Sequence, residues 1–222
     1  MKEWIDDEEA AREKYGPISE WDVSNITSMK NLFKGARSFT ADLSSWDVAK
    51  VTNMSGMFND ASKFNSDLSQ WNVSNVTDME CMFNGASNFE SDLSSWNIAK
   101  VTDMYGMFSQ ASKFNSDLSP WNVSNVTDMS WMFNEASNFE SDLSSWNTAK
   151  VTNMYGMFQH VSKFNSVLSR WNVSNVRDME YMFCKASKFN SDLSRWKLRK
   201  GTKHKFMFHG ATNFQSGLPK FK

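Results

Sequence analysis

The stretch that decides the fold is residues 121–145, "WNVSNVTDMSWMFNEASNFESDLSS", because residue 146 is again Trp and the pattern starts over. Its large apolar residues stand among small polar ones at spacings that no single helix period or strand alternation explains. The sequence therefore predicts a repeat, numbered here from its Trp as position 1. Trp recurs every 25 residues in eight copies, without insertion or deletion, at Trp21, Trp46, Trp71, Trp96, Trp121, Trp146, Trp171 and Trp196.

The spacing inside one repeat predicts a strand and a short helix. Apolar residues at positions 9, 12, 13 and 16 follow the i, i+3, i+4, i+7 rule of one helical face. Thr at position 7 suits the N-cap of that helix. Around the Trp the apolar residues alternate, as Trp121 and Val123 do, which is typical of a strand. One such unit cannot bury its apolar face alone, so the eight units must stack and bury continuous Trp, Val, Met and Phe columns.

Both ends of the chain differ from the regular repeats. Trp4, Ala11 and Tyr15 share one helical face before Gly16 and Pro17 end it. The last repeat loses its Val and its first Met and becomes basic, as terminal repeats of stacked proteins do. We therefore predict one domain with an N-terminal capping helix over residues 1–20, seven regular repeats over 21–195, and a degenerate basic C-terminal cap over 196–222.

The consensus "WDVSNVTDMxxMFxxASxFNSDLSS" resembles the BspA-like leucine-rich-repeat surface proteins, whose 25-residue units also occur in mycoplasma lipoproteins. The resemblance covers all eight repeats, about nine-tenths of the chain. It implies an α/β repeat fold, a right-handed leucine-rich-repeat-like solenoid of eight coils, each a short strand plus a one- to two-turn helix. It further implies a cell-surface or extracellular setting, although the N-terminus has no signal-peptide pattern, and a role in adhesion or protein binding. No catalytic residues come with the family.

Composition excludes several function classes. The net charge of −1 gives no field that would favour nucleic acid, and no apolar run reaches the roughly 18 residues of a membrane span. The three His residues have no evident catalytic partner at a familiar spacing. Cys81 and Cys184 are too few for a zinc site and too far apart for a disulfide. We therefore expect no enzyme activity, no cofactor and no bound metal.

Two sets of residues are candidate binding sites. Trp131 and Tyr181, at position 11, are candidate aromatic contacts, yet Gly alternates with larger residues at this position. Each large side chain could instead simply cover the Gly of the neighbouring coil. The second set is a column of outward-facing residues at position 2 of the repeat, on the predicted strand, here called the position-2 ladder. These side chains could bind a protein or glycan, or their amides could simply hydrogen-bond to one another from layer to layer. The members of the ladder are Asp47, Asn72, Asn97, Asn122, Asn147 and Asn172.

Charge and the remaining columns leave alternative functions open. Stacked Asp residues at position 22 favour turn capping over calcium, because the spacing of calcium-binding β-rolls is absent. Residues 1–20 hold seven acids and three bases, whereas residues 193–222 hold eight bases and no acid. The basic end is most simply a solvated cap; alternatively it could bind phosphate or an anionic surface, or associate weakly head to tail with the acidic end. The alternative to a binding module is therefore a structural spacer or self-associating rod. A third alternative, ice or mineral-surface binding, rests on the Thr column at position 7.

Overall fold

The computed structural model describes residues 2–219 and begins with two short helices. Helix α1 spans Lys2–Asp6 and helix α2 spans Glu8–Tyr15. Asp7 between them has an extended backbone, and its side chain accepts a hydrogen bond from Ala10 N at 3.0 Å. Asp7 is thus the N-cap of α2, which divides the single helix predicted from the sequence. A 3₁₀ helix, Ile18–Glu20, leads into the first repeat.

The predicted fold class is wrong, because the repeats contain neither the strand nor the helix. From residue 21 to 219 the described chain consists of turns joined by irregular segments, and its β-pairing is limited to isolated bridges. Two residues in each repeat, at positions 11 and 15, have positive φ; in the fifth repeat Trp131 has φ 58° and Glu135 has φ 60°. A right-handed helix cannot pass through left-handed residues. An α/β, leucine-rich-repeat-like solenoid of strand-plus-helix coils is therefore not supported, and Thr at position 7 caps no helix.

Backbone hydrogen bonds join each repeat to the next, so that every repeat forms one layer of a stack. Within a layer, alternate amides close turns, as Met132 N does on Met129 O at 3.3 Å. The amides between them donate to the following layer, as Trp131 N does to Tyr155 O at 2.8 Å and Phe133 N to Met157 O at 3.0 Å. Through these two patterns, the backbone amides at positions 9 and 11–16 of a layer such as the fifth find acceptors without a helix or an extended strand.

Parallel bridges at position 8 fix the register between layers. They pair residues 25 positions apart, from Ser28 with Asn53 to Asp178 with Lys203. The Thr side chains of position 7 add to this seam, since Thr127 Oγ1 donates to Thr102 O at 3.1 Å. The Thr column is thus used for hydrogen bonds between layers.

Aromatic columns form the core. Phe133 of position 13 stacks on Phe158 of the next layer at 5.6 Å and on Phe139 of its own layer at 3.9 Å, measured between ring centroids. Trp121 is only 3% exposed, and its Nε1 donates to Leu93 O at 2.9 Å. Burial of this much aromatic surface in every layer supplies the driving force that short turns alone lack.

The two ends close the columns differently. At the N-terminus, Trp4 of α1 is buried and packs edge-on against Trp21 at 5.6 Å. In the last layer Trp196 and Met207 remain buried, whereas Phe206 is 44% exposed. Residues 220–222 of the predicted C-terminal cap lie outside the described residues.

Candidate binding surfaces

The position-2 ladder is exposed but does not lie on a strand. Each of its six side chains accepts a hydrogen bond from the backbone amide two residues later; Asn122 Oδ1, for example, accepts from Ser124 N at 3.1 Å. This is an Asx turn, in which the side-chain oxygen holds the following turn. The same bond occurs at Asp47, Asn72, Asn97, Asn147 and Asn172. The oxygens of the ladder therefore have a local structural role, while the residues themselves remain exposed.

Asn and Lys alternate at position 5 and bond to each other across layers. Lys150 Nζ donates to Asn125 Oδ1 at 2.7 Å, and Asn125 Nδ2 donates in turn to Ala99 O, one layer further back, at 2.8 Å. Lys100 and Asn75 form the same pair at 2.8 Å. The alternation along this face is thus the pattern of a hydrogen-bonded network with a two-layer period.

At position 11 the predicted contact between a large residue and a glycine is present. A Cβ on Gly156 would lie 2.9 Å from Trp131 Cε3, so the indole lies directly against that glycine. Gly106 has Cys81 Sγ in the same place, at 3.2 Å from an ideal Cβ. Every residue at this position has positive φ, which Gly adopts at least cost. Trp131 is nevertheless only half-buried, so the covering role leaves part of its ring open to solvent.

The outer edges of these rings form a continuous row, here called the aromatic stripe: Trp131, Tyr155, Tyr181 and Phe206. Their centroids are separated by 4.9, 5.6 and 5.2 Å in that order. Phe206 is exposed, and the other three are half-buried. Sequence reasoning found Trp131 and Tyr181 but missed Tyr155, which stands at position 10 and whose ring lies between theirs in the row.

Carboxylates flank the aromatic stripe. Burial raises the pKa of the Tyr155 hydroxyl, and the nearby Tyr181, Glu180 and Asp178 raise it further. Tyr105, two layers before Tyr155, also has a raised pKa, mainly from burial and with smaller contributions from Cys81, Glu80 and Asp128. Basic groups lie there as well, because Lys203 pairs with Asp178 at 3.5 Å and Lys205 Nζ lies 4.9 Å from the Phe206 ring centroid. The stripe is thus an amphipathic surface, with aromatic rings in the middle and charges of both signs beside them.

At position 8 three carboxylates follow one another in adjacent layers. Asp78 and Asp128 each accept a hydrogen bond from an Asn on their outer side: Asn53 Nδ2 to Asp78 Oδ2 at 2.9 Å and Asn153 Nδ2 to Asp128 Oδ2 at 3.0 Å. Asp103 lies between them and accepts from Tyr105 N at 2.9 Å. Burial raises the pKa of Asp103, and the charges of Asp128 and Asp78 raise it further.

The Asp column at position 22 caps turns. Asp142 Oδ1 accepts from Ser144 N at 3.0 Å and from Ser166 Oγ of the next layer at 2.8 Å. These bonds, that from the Ser144 amide first, lower the pKa of the Asp142 carboxyl. Among residues 2–219 no group of three or more His, Cys, Asp and Glu side chains is placed to hold a metal ion. Burial raises the pKa of the Cys81 thiol to about 11, so Cys81 carries little thiolate at neutral pH.

Comparison with known proteins gives a family without a known activity. No curated protein matches the chain. Among solved structures, a chain in the crystal structure of a TLR13–ssRNA13 complex is 11% identical, with 80% of this chain and 33% of that chain covered and a TM-score of 0.26. This chain thus spans about a third of that one. Within residues 2–219 no helix is long and apolar enough to cross a membrane. A family model matches twice, over residues 1–121 and 104–221, and the chain therefore belongs to the family described as Mycoplasma protein of unknown function, DUF285.

Proposed function

We propose that the protein is a non-enzymatic binding or adhesion module of a surface repeat protein, and that the aromatic stripe is its contact surface. The observation that carries this proposal is the row of four aromatic rings left open to solvent across four adjacent layers. Aromatic residues are enriched where proteins bind one another, because they offer large area at low entropic cost. The resemblance to BspA-like surface proteins supports the setting at the cell surface.

The chemistry beside the stripe favours a protein partner with basic side chains. Glu180 lies beside Tyr155, so a Lys or Arg of the partner could lie over an aromatic face while it pairs with this carboxylate; Asp178 is already paired with Lys203 at 3.5 Å. The molecule itself contains such a contact, since Lys205 Nζ lies 4.9 Å from the Phe206 ring centroid. A polyanion would meet the like charge of Glu180 beside Tyr155.

The test is an array of extracellular-matrix proteins and glycans probed with the wild type and with matched variants. Tyr155→Ser introduces the residue that position 10 already carries at Ser130, and Tyr181→Asn the one that position 11 carries at Asn31, so both replacements suit the backbone. The control is Asn147→Asp, which keeps the turn-capping oxygen of the position-2 ladder. We expect the double variant to lose a protein ligand that the control retains. Equal binding by all three proteins, or a ligand lost only in Asn147→Asp, would contradict the proposal.

Self-association is a second candidate, favoured by the charge of the two ends. Helices α1 and α2 expose acidic residues such as Glu8 and Glu9, and the last layer exposes basic ones such as Lys197 and Lys200. Head-to-tail contact of this kind would weaken as salt screens the charges. Light scattering at low and high ionic strength measures it directly, and a molecular mass independent of both salt and protein concentration would exclude it.

A further inference from the structure

The sixth layer lacks the carboxylate that the layers on both sides of it have at position 22. The column reads Asp42, Asp67, Asp92, Asp117, Asp142, Val167, Asp192 and, in the terminal layer, Gly217. Val167 is 60% exposed, so it is an apolar side chain at a surface position that a charged group holds elsewhere. The loss affects hydrogen bonds as well as charge, because the Asp at this position accepts from two donors.

Both donors are retained beside Val167, one in its own layer and one in the next. In the preceding layer, Asp142 accepts from Ser144 N at 3.0 Å and from Ser166 Oγ at 2.8 Å. The corresponding donors beside Val167 are Ser169 N and Ser191 Oγ. Ser191 is 6% exposed, and its Oγ accepts from Leu168 N at 2.8 Å, which leaves its hydrogen to be donated. Among the described hydrogen bonds neither Ser169 N nor the Ser191 hydroxyl hydrogen reaches an acceptor.

Two guanidinium groups stand at the same cleft. Position 25 carries Ser45, Ser95 and Ser145 in other layers, but Arg170 and Arg195 in the layer of Val167 and the next one. Both arginines line a cleft of about 620 Å³ together with Val167, Ser169 and Ser191. Within the described residues neither guanidinium forms a salt bridge. The cleft also contains the Asp192 carboxylate, whose pKa is lowered chiefly by the Ser194 amide and hydroxyl and least by Arg195.

We propose that this cleft binds an oxyanion, a sulfate or phosphate group, between Arg170, Arg195 and the donors Ser169 N and Ser191 Oγ. Arg suits this task because its planar guanidinium donates two parallel hydrogen bonds to such groups. The backbone amide and the hydroxyl are the donors that stabilise a carboxylate in the neighbouring layers. The site lies at positions 21–25, apart from the aromatic stripe at positions 10 and 11, and does not depend on the function proposed above.

The test titrates inorganic sulfate and phosphate into the full chain at constant ionic strength, with chloride as the balancing ion. A sulfated disaccharide titrated in parallel presents the same group as a substituent on a sugar. The readout is the NMR chemical shift of the Ser169 amide. A saturable shift with any of these probes is the expected result, and a linear drift equal to that caused by chloride would overturn the proposal.

Two variants make the result specific. Val167→Asp restores the missing carboxylate to the column, so the saturable shift should disappear while the melting temperature rises. Arg170→Ser with Arg195→Ser introduces the residue of other layers at position 25 and should lower the affinity at least tenfold. Asp92→Val is the matched control: it makes the same gap beside Ser95 and Pro120, where no arginine stands, and should not create binding. Saturable binding that survives in both Val167→Asp and the double arginine variant would refute the site.

Discussion

Replacement of Asp103 by Asn should stabilise the protein at neutral pH. Asp103 lies between Asp78 and Asp128 in a parallel stack, and its pKa is raised by burial and by those two charges. Asn53 and Asn153 show what the replacement does, because each donates its Nδ2 to the adjacent carboxylate. An Asn at 103 would keep an oxygen for Tyr105 N and gain a donor toward a neighbouring carboxylate.

The expected magnitude follows from the spacing of the layers. Paired chains in a parallel ladder lie about 4.8 Å apart. Two like charges about 5 Å apart repel by about 1 kcal/mol in water and about 3 kcal/mol at an effective dielectric constant of about 20. Because Asp103 is half-exposed, solvent screening keeps the result near the lower value. Removal of this charge should raise the free energy of unfolding by about 1–2 kcal/mol, or the melting temperature by about 2–8 °C.

The assay is urea denaturation of wild type and Asp103→Asn at pH 7 and at pH 4. A carboxyl whose pKa is raised on folding contributes stability below its unfolded pKa, and that contribution is lost as the pH rises through the folded pKa. The wild type should therefore approach the variant in stability at pH 4. Asp92→Asn removes the same charge where the pKa is lowered by hydrogen bonds, chiefly from Ser94, and should not stabilise. An advantage of Asp103→Asn that is absent at pH 7, or independent of pH, would refute the reasoning.

Three other changes test the packing of the layers. Trp121→Ala removes a buried ring and leaves Leu93 O without its indole donor, so unfolding should become easier by about 3–5 kcal/mol; an unchanged urea midpoint would contradict this. Gly156→Ala places a Cβ against Trp131 at a residue with φ 58° and should destabilise by about 1–3 kcal/mol, with partial rescue when Trp131 is also changed to Asn. Deletion of residues 1–16 uncovers Trp21 and the open edge of the first layer, so size-exclusion chromatography should show aggregation. A truncated chain that stays monomeric and equally stable would show that the helices are dispensable.

The repeat register and the buried columns could be predicted from the sequence, but the local backbone could not. Apolar residues at positions 9, 12, 13 and 16 point inward in a helix, and they also point inward in the observed run of turns. Both structures close a hydrogen bond three or four residues back, as Phe133 O does with Ala136 N at 2.9 Å. Hydrophobic spacing alone cannot separate the two. The decisive signal was Gly at position 11, in Gly56, Gly106 and Gly156, which marks a left-handed residue in the middle of the supposed helix.

The aromatic stripe was found only in part because its members do not share one repeat position. Trp131 and Tyr155 are 24 residues apart, and Tyr155 and Tyr181 are 26 apart, so a search at the fixed period of 25 overlooks Tyr155. The rings meet because the large residue at position 11 leans over the glycine of the next layer, where position 10 carries Tyr155. Only side-chain geometry brings adjacent positions of different layers together in this way.

The Asn–Lys network at position 5 determines how such a chain can change its length. Removal of a single layer would bring two Lys or two Asn residues together, and a bond such as that of Lys150 Nζ with Asn125 Oδ1 would lose its partner. Removal of two adjacent layers among the first six would preserve every Asn–Lys pairing, and it would also keep the alternation of glycine with a larger residue at position 11. The smallest unit that can be inserted or removed is therefore a pair of layers. Recombination between copies of the gene should conserve function when it changes the length of the chain by whole pairs of layers.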